Sequence, residues 1–130
     1  MTIRNVVFAT VAAVFAAGSA WSVEKTETSI ALQAAMQRHI DRSVIDGALL
    51  DLDPATGEVR KLFPTKAHPM IVRAENFFVL CADLRDEAGQ RFEVDYYLAQ
   101  TPRGFRVFMT EIDNRQVLKD MMKAGLAEPY

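Results

Sequence analysis

The sequence predicts an α+β domain: an N-terminal helix packed on an antiparallel sheet of about four to five strands, closed by a short C-terminal helix. Three observations carry this expectation. Apolar residues recur at helical spacing between Leu32 and Val44, on one stripe only. Period-two alternation recurs along three successive segments between Phe77 and Thr110. Turn residues separate those segments at Asp86-Glu87-Ala88-Gly89 and at Thr101-Pro102-Arg103-Gly104.

The elements follow in order. Leu32, Ala35, Met36, His39, Ile40, Ser43 and Val44 form the stripe of the long helix, with Gln33, Gln37, Arg38, Asp41 and Arg42 on its other side. Thr26, Thr28 and Ser29 offer N-cap oxygens, and Gly47 suits the left-handed position that ends a helix. A hairpin is expected next, with Ala48–Asp53 and Glu58–Phe63 joined at Pro54-Ala55-Thr56-Gly57. Pro64 and Pro69 bracket a connecting loop in which His68 is expected to be exposed. The three-stranded meander follows, and its register is set by the side-chain faces. A loop with Gly89 in the left-handed position sets Leu84 opposite Phe92, Ala82 opposite Val94 and Leu80 opposite Tyr96. A tight turn at Pro102-Arg103 sets Leu98 opposite Val107 and Tyr96 opposite Met109. Asp113 and Gln116 then make a capping box for a helix with the apolar stripe Val117, Leu118, Met121 and Met122, which Gly125 stops.

Residues 1–22 read as a signal peptide. Arg4 supplies the basic start, Val6–Ala17 the apolar stretch, and Gly18-Ser19-Ala20-Trp21-Ser22 the small residues that fit cleavage after Ala20 or Ser22. The rival is an uncleaved anchor, for which the run from Val6 to Trp21 is short. The domain proper is expected at residues 23–130, in the periplasm or another exported compartment. There Lys and Arg number 14 against 17 Asp and Glu, a balance that argues against a nucleic-acid binder. A membrane is a partner only if the N-terminal segment stays in place. Cys81 is the sole cysteine, so no internal disulfide forms.

The element order resembles the cystatin-like and nuclear-transport-factor-like (NTF2-like) rolls, in which a curved antiparallel sheet wraps a helix. That resemblance implies a pocket between helix and sheet. It implies no protease-inhibitor loop, because the chain contains no Gln-x-Val-x-Gly.

Candidate chemistry is sparse. No catalytic triad, nucleotide loop or zinc spacing is present, and Asp51, Asp53 and Thr56 lack the ligand order of a calcium loop. The reading therefore names no catalytic residue, metal or cofactor. Asp83, Glu93 and Asp95 are expected to gather on the outer sheet face with Arg91 and Arg106 near them, and Cys81 beside these acids is expected to be a quiet thiol. Two binding surfaces remain. His39, Ser43 and Tyr96 are candidates for a helix–sheet pocket. Phe77, Val79, Tyr97 and Phe108 form an apolar patch on the outer face, fit for self-association or a protein partner unless the terminal helix covers it. The expected function is a small exported binding or accessory domain without catalytic activity. The alternatives are a roll-type enzyme or carrier lined by His39 and Tyr96, and a membrane-tethered component of an envelope complex.

Overall fold

The computed structural model describes residues 18–130, with side chains from Trp21 onward; most of the expected leader lies outside the described residues. Helix α1 spans Gly18–Ser43 and is thus longer than its apolar stripe requires. The hydroxyls of Thr26 and Ser29 do not cap it. They donate to the carbonyls of Ser22 (2.9 Å) and Lys25 (2.8 Å) one turn earlier, the bond by which such residues sit inside a helix. Gly47 does not cap the far end either. Asp46 (φ 52°) and Gly47 (φ 81°) form the centre of a tight turn closed by reciprocal backbone bonds between Ile45 and Ala48. Left-handed angles at both central residues are what a hairpin-type turn demands, and an Asp-Gly pair supplies them.

Five strands follow in a meander: β1 (Leu49–Leu52), β2 (Val59–Ala74), β3 (Phe78–Arg85), β4 (Arg91–Thr101) and β5 (Gly104–Ile112). They lie side by side in chain order, all antiparallel. Helix α2 (Gln116–Lys123) and a short strand β6 (Ala127–Pro129), paired with the end of β2, complete the fold. The α+β layout is therefore that expected, with six strands instead of four or five.

Register is correct throughout β3–β4, where Leu84, Ala82 and Leu80 face Phe92, Val94 and Tyr96. Gly89, at φ 82°, makes that connection possible. In β4–β5 the pairing Leu98↔Val107 holds, but Tyr96 faces Thr110 and Tyr97 faces Met109. One extra residue on β5, Phe108, makes a bulge there and moves Met109 to the outer face. The expected loop at Pro64–Pro69 is instead a continuation of β2 with two register shifts. Its prolines are tolerated because β1 pairs only with Val59–Leu62 and β6 only with Val72–Ala74, so this stretch of edge needs no donor.

Two apolar layers result. On the inner face Leu32, Ala35, Met36 and Ile40 of α1 meet Leu62, Ile71, Leu80, Ala82, Leu84, Phe92, Val94, Tyr96 and Leu98. Each leucine buried completely here is worth about 2 kcal/mol over leaving it in water. On the outer face Leu118 and Ala127 close over Val72, Val79 and Tyr97. Asp113 leaves its expected capping role. Its carboxylate accepts from the Glu93 amide (3.0 Å), and its own amide donates to the Glu93 carbonyl (2.8 Å), so it prolongs the sheet. Arg115 stands at the N-cap of α2 without a side-chain capping bond.

Candidate functional site

The pocket candidates lie on the inner side, at the end of α1 that approaches β5. His39 projects from the apolar stripe, half-buried, with its ring edge-on to Tyr96 at 5.7 Å between centroids. Burial, then the positive charge of Arg42, holds its pKa below the ordinary value, which favours the neutral imidazole. Ser43 is turned to other work, its hydroxyl donating to the His39 carbonyl at 2.7 Å. Tyr96 is 1 % exposed and lies beneath the site. Its hydroxyl finds no partner among the described residues, and burial pushes its pKa up to about 12.

Over His39 there opens a cleft of about 360 Å³, lined by Ala35, Arg38, His39 and Arg42 of α1 and by Arg103, Phe105, Arg106 and Val107 across from them. Of these, only His39 is a pocket candidate in the sequence. The i, i+4 spacing of Arg38 and Arg42 was a usable signal, since it puts both on one side of the helix next to His39. Their meeting with Arg103 depends on how β5 docks against α1, which no local pattern encodes. Arg106 alternates with Phe105 and Val107, so its side chain starts from the opposite face of β5 and it only borders the cleft.

The outer face carries a chain of ion pairs. His68 Nε2 is 2.8 Å and Arg91 Nη2 3.0 Å from Asp83 Oδ1. Arg91 also reaches Glu93 at 2.9 Å, and Arg115 bridges Glu93 (3.1 Å) and Asp95 (3.2 Å). Its remaining nitrogen donates to Cys81 Sγ at 3.1 Å. His68 is therefore part-buried and paired, not exposed, because β2 runs on past Pro64, sets Lys66 opposite Asp83 and brings the His68 ring within reach of that carboxylate. Arg115 occupies the place in this cluster expected for Arg106. The expected gathering of Asp83, Glu93 and Asp95 is present, but Asp83, Glu93 and one oxygen of Asp95 are held by cations. Burial alone would raise the Asp83 carboxyl; hydrogen bonds from Arg91 and His68, with their charges, leave it below its ordinary value. Cys81 is pushed up to about 12 by burial and by Asp95, so its thiolate is scarce. Asp95 itself is 0 % exposed and keeps one oxygen, Oδ1, without a partner among the described residues. The arrangement ties Arg115, at the start of α2, to the sheet.

The apolar patch also forms as a cluster. Phe77, Tyr97 and Phe108 stand 5.8–6.3 Å apart in pairs. Val79 and Tyr97 are buried under α2 and β6, Phe77 is half-buried, and Phe108 alone is open, at 57 %. A larger, shallow groove of about 990 Å³ runs between the first half of α1 and β2, past Ile30, Met36, Met70 and Tyr130. It is mostly apolar, with Lys25, Ser29, Gln33 and Gln37 of α1 along one side. Among the described residues no cluster of His, Cys, Asp and Glu could hold a metal, and no helix is long and apolar enough to cross a membrane.

No protein-family model matches the chain, and no curated protein or solved structure does either.

Proposed function

We propose that the chain is an exported, non-catalytic binding domain that takes its ligand in the cleft between α1 and β5 at His39. The observation that carries this is the cleft itself, which sets His39 and arginines beside the apolar side chains of Ala35, Phe105 and Val107. Specific small-molecule sites combine those two features. The outer face is the weaker candidate, because α2 and β6 already occupy most of its apolar surface. Catalysis is not supported. No carboxylate orients the His39 ring among the described residues, and the Tyr96 hydroxyl lies buried below the cleft rather than on its wall.

Export is proposed from Arg4, the apolar run Val6–Ala17 and the small residues that follow. A membrane-tethered variant of the same domain is favoured by one observation. Helix α1 is already formed at Gly18 and passes Ala20 and Ser22 without a break, with Trp21 78 % exposed. Mass spectrometry of the protein from its native host separates the two. A mature chain beginning at Trp21 or Val23 is expected; an intact Met1 end recovered from the membrane fraction would replace export with tethering, and one recovered from the cytoplasm would sink both. Ligand binding is tested by chemical-shift mapping of the full chain against a fragment library. Shifts centred on His39, Phe105 and Val107 are expected, and a library without hits there would refute the cleft.

A further inference from the structure

The pairing of the arginines sorts them by place. Of the nine among the described residues, Arg60, Arg73, Arg91 and Arg115 are in ion pairs, and Arg85 donates to the Gly89 carbonyl. The remaining four, Arg38, Arg42, Arg103 and Arg106, make neither kind of bond to any described residue; Arg38, Arg42 and Arg103 line the cleft at His39, and Arg106 borders it from β5, with its side chain starting on the opposite face. No acid lines it with them. This chain has more acids than bases, so a shortage of counter-charge does not explain the gap. Arg38 and Arg42 stand one helical turn apart, a like-charge pair that by itself weakens a helix. Unneutralised guanidiniums concentrated in a concave site raise the local concentration of anions and present paired donors to them.

The geometry points to a small organic anion as the ligand of this cleft: an apolar or ring-bearing body against Phe105 and Val107, with phosphate or carboxylate groups held by Arg38, Arg42 and Arg103. This rests on the cleft being the binding site and adds the chemical class of its occupant. A volume of about 360 Å³ suits a small molecule or a single headgroup. The guanidinium fork matches both oxyanion types in bidentate fashion, so the shared recognition element is a compact oxyanion beside a short apolar body. A soluble metabolite and the headgroup of an anionic lipid both present it.

The experiment is a titration of the full chain with inorganic pyrophosphate and, separately, with citrate, read by amide shifts. Saturable shifts at His39, Phe105 and Val107 are expected. Arg38→Ala and Arg42→Ala should each weaken binding about tenfold, the worth of one charge-assisted contact. Lys119→Ala on α2 should leave affinity unchanged. Equal losses in all three variants, or shifts that never saturate, would mean general charge attraction and would overturn the proposal. A third arm uses vesicles of phosphatidylcholine with and without phosphatidylglycerol. Binding only to the anionic vesicles, with the same dependence on Arg38 and Arg42, identifies a lipid headgroup as the source. Saturable binding of an uncharged fragment in the cleft, with no response to any anion, would sink this inference and leave the cleft as the binding site; no ligand of any kind at the cleft would sink both.

Discussion

His39 and Asp83 sit on opposite faces of the sheet, and both have pKa values below the ordinary ones for opposite electrostatic reasons. His39 is half-buried beside Arg42, so its charged form is penalised. Asp83 is rewarded for being charged, by Arg91 and His68. The linkage signs follow from which state binds more protons. For His39 the unfolded chain binds a proton more readily, so folding loses stability as pH falls from about 6.5 toward the lowered native value. For Asp83 the stabilisation is complete above about 3.9, the unfolded value, and is lost as pH falls below it through the native one. Urea midpoints measured from pH 8 to pH 3 should therefore decline in two windows. His39→Phe, which keeps a ring beside Tyr96, should flatten the first window and leave the second in place. A variant profile that follows the original between pH 7 and pH 5 would show that His39 is free to charge. Of these two groups, the sequence disclosed the stripe position of His39. It hid the partners of Asp83, because His68 reaches it only through the run of β2 across two prolines.

At the scale of elements, legibility tracked the presence of a strict alternation. β3 and β4 alternate cleanly around Gly89, and their pairing is the one expected, residue for residue. β5 alternates only as far as Val107. Phe108 and Met109 are both apolar, so nothing in the pattern marks which one interrupts it, and the bulge stays hidden until Tyr97 is seen opposite Met109. The same composition explains what the bulge achieves: it delivers Met109 to the outer layer, where Val79 and Tyr97 need cover. Strand β6 was invisible for a different reason, being a three-residue pairing with no pattern of its own. Helix α2 is the main cover of this layer, and Leu118, 2 % exposed, is its buried anchor. Leu118→Ala should cost about 2–4 kcal/mol of stability in urea unfolding, from lost burial and an unfilled cavity. It should also speed amide exchange in Gln116–Lys123 ahead of the sheet, since Leu118 is the one fully buried residue of that helix. A loss under about 1 kcal/mol would mean that Met121 and Met122 refill the space, and that the patch is covered by a softer lid.

Across the whole molecule, charge separates by sheet face, and burial sets in part-way along α1. The acids of the outer face are tied to Arg91 and Arg115, while the unpaired arginines collect on the opposite side at the cleft. Fold class, helix stripe and sheet faces could be read from local pattern. The cleft could not, because it is made where α1 crosses β5. The start of α1 differs from the rest of the helix in burial. Every residue from Trp21 to Glu27 is exposed, and among the described side chains of α1 the first that is fully buried is Leu32. Two turns of helix with no apolar contact face are marginal on their own, since most helix stability comes from packing. Lys25 over the Tyr130 ring, at 5.0 Å, is the modest exception. A chain beginning at Val23 should therefore fold with the same urea midpoint as the full chain, within about 0.5 kcal/mol, the range of changes away from packed features. A chain beginning at Gln33 removes Leu32 from the core and should lose about 2–4 kcal/mol. Equal loss in both truncations would place a stabilising role before Val23. An unchanged midpoint for the first alone would mean that the residues before Val23 are dispensable for folding, which is what a cleavable or tethering segment requires.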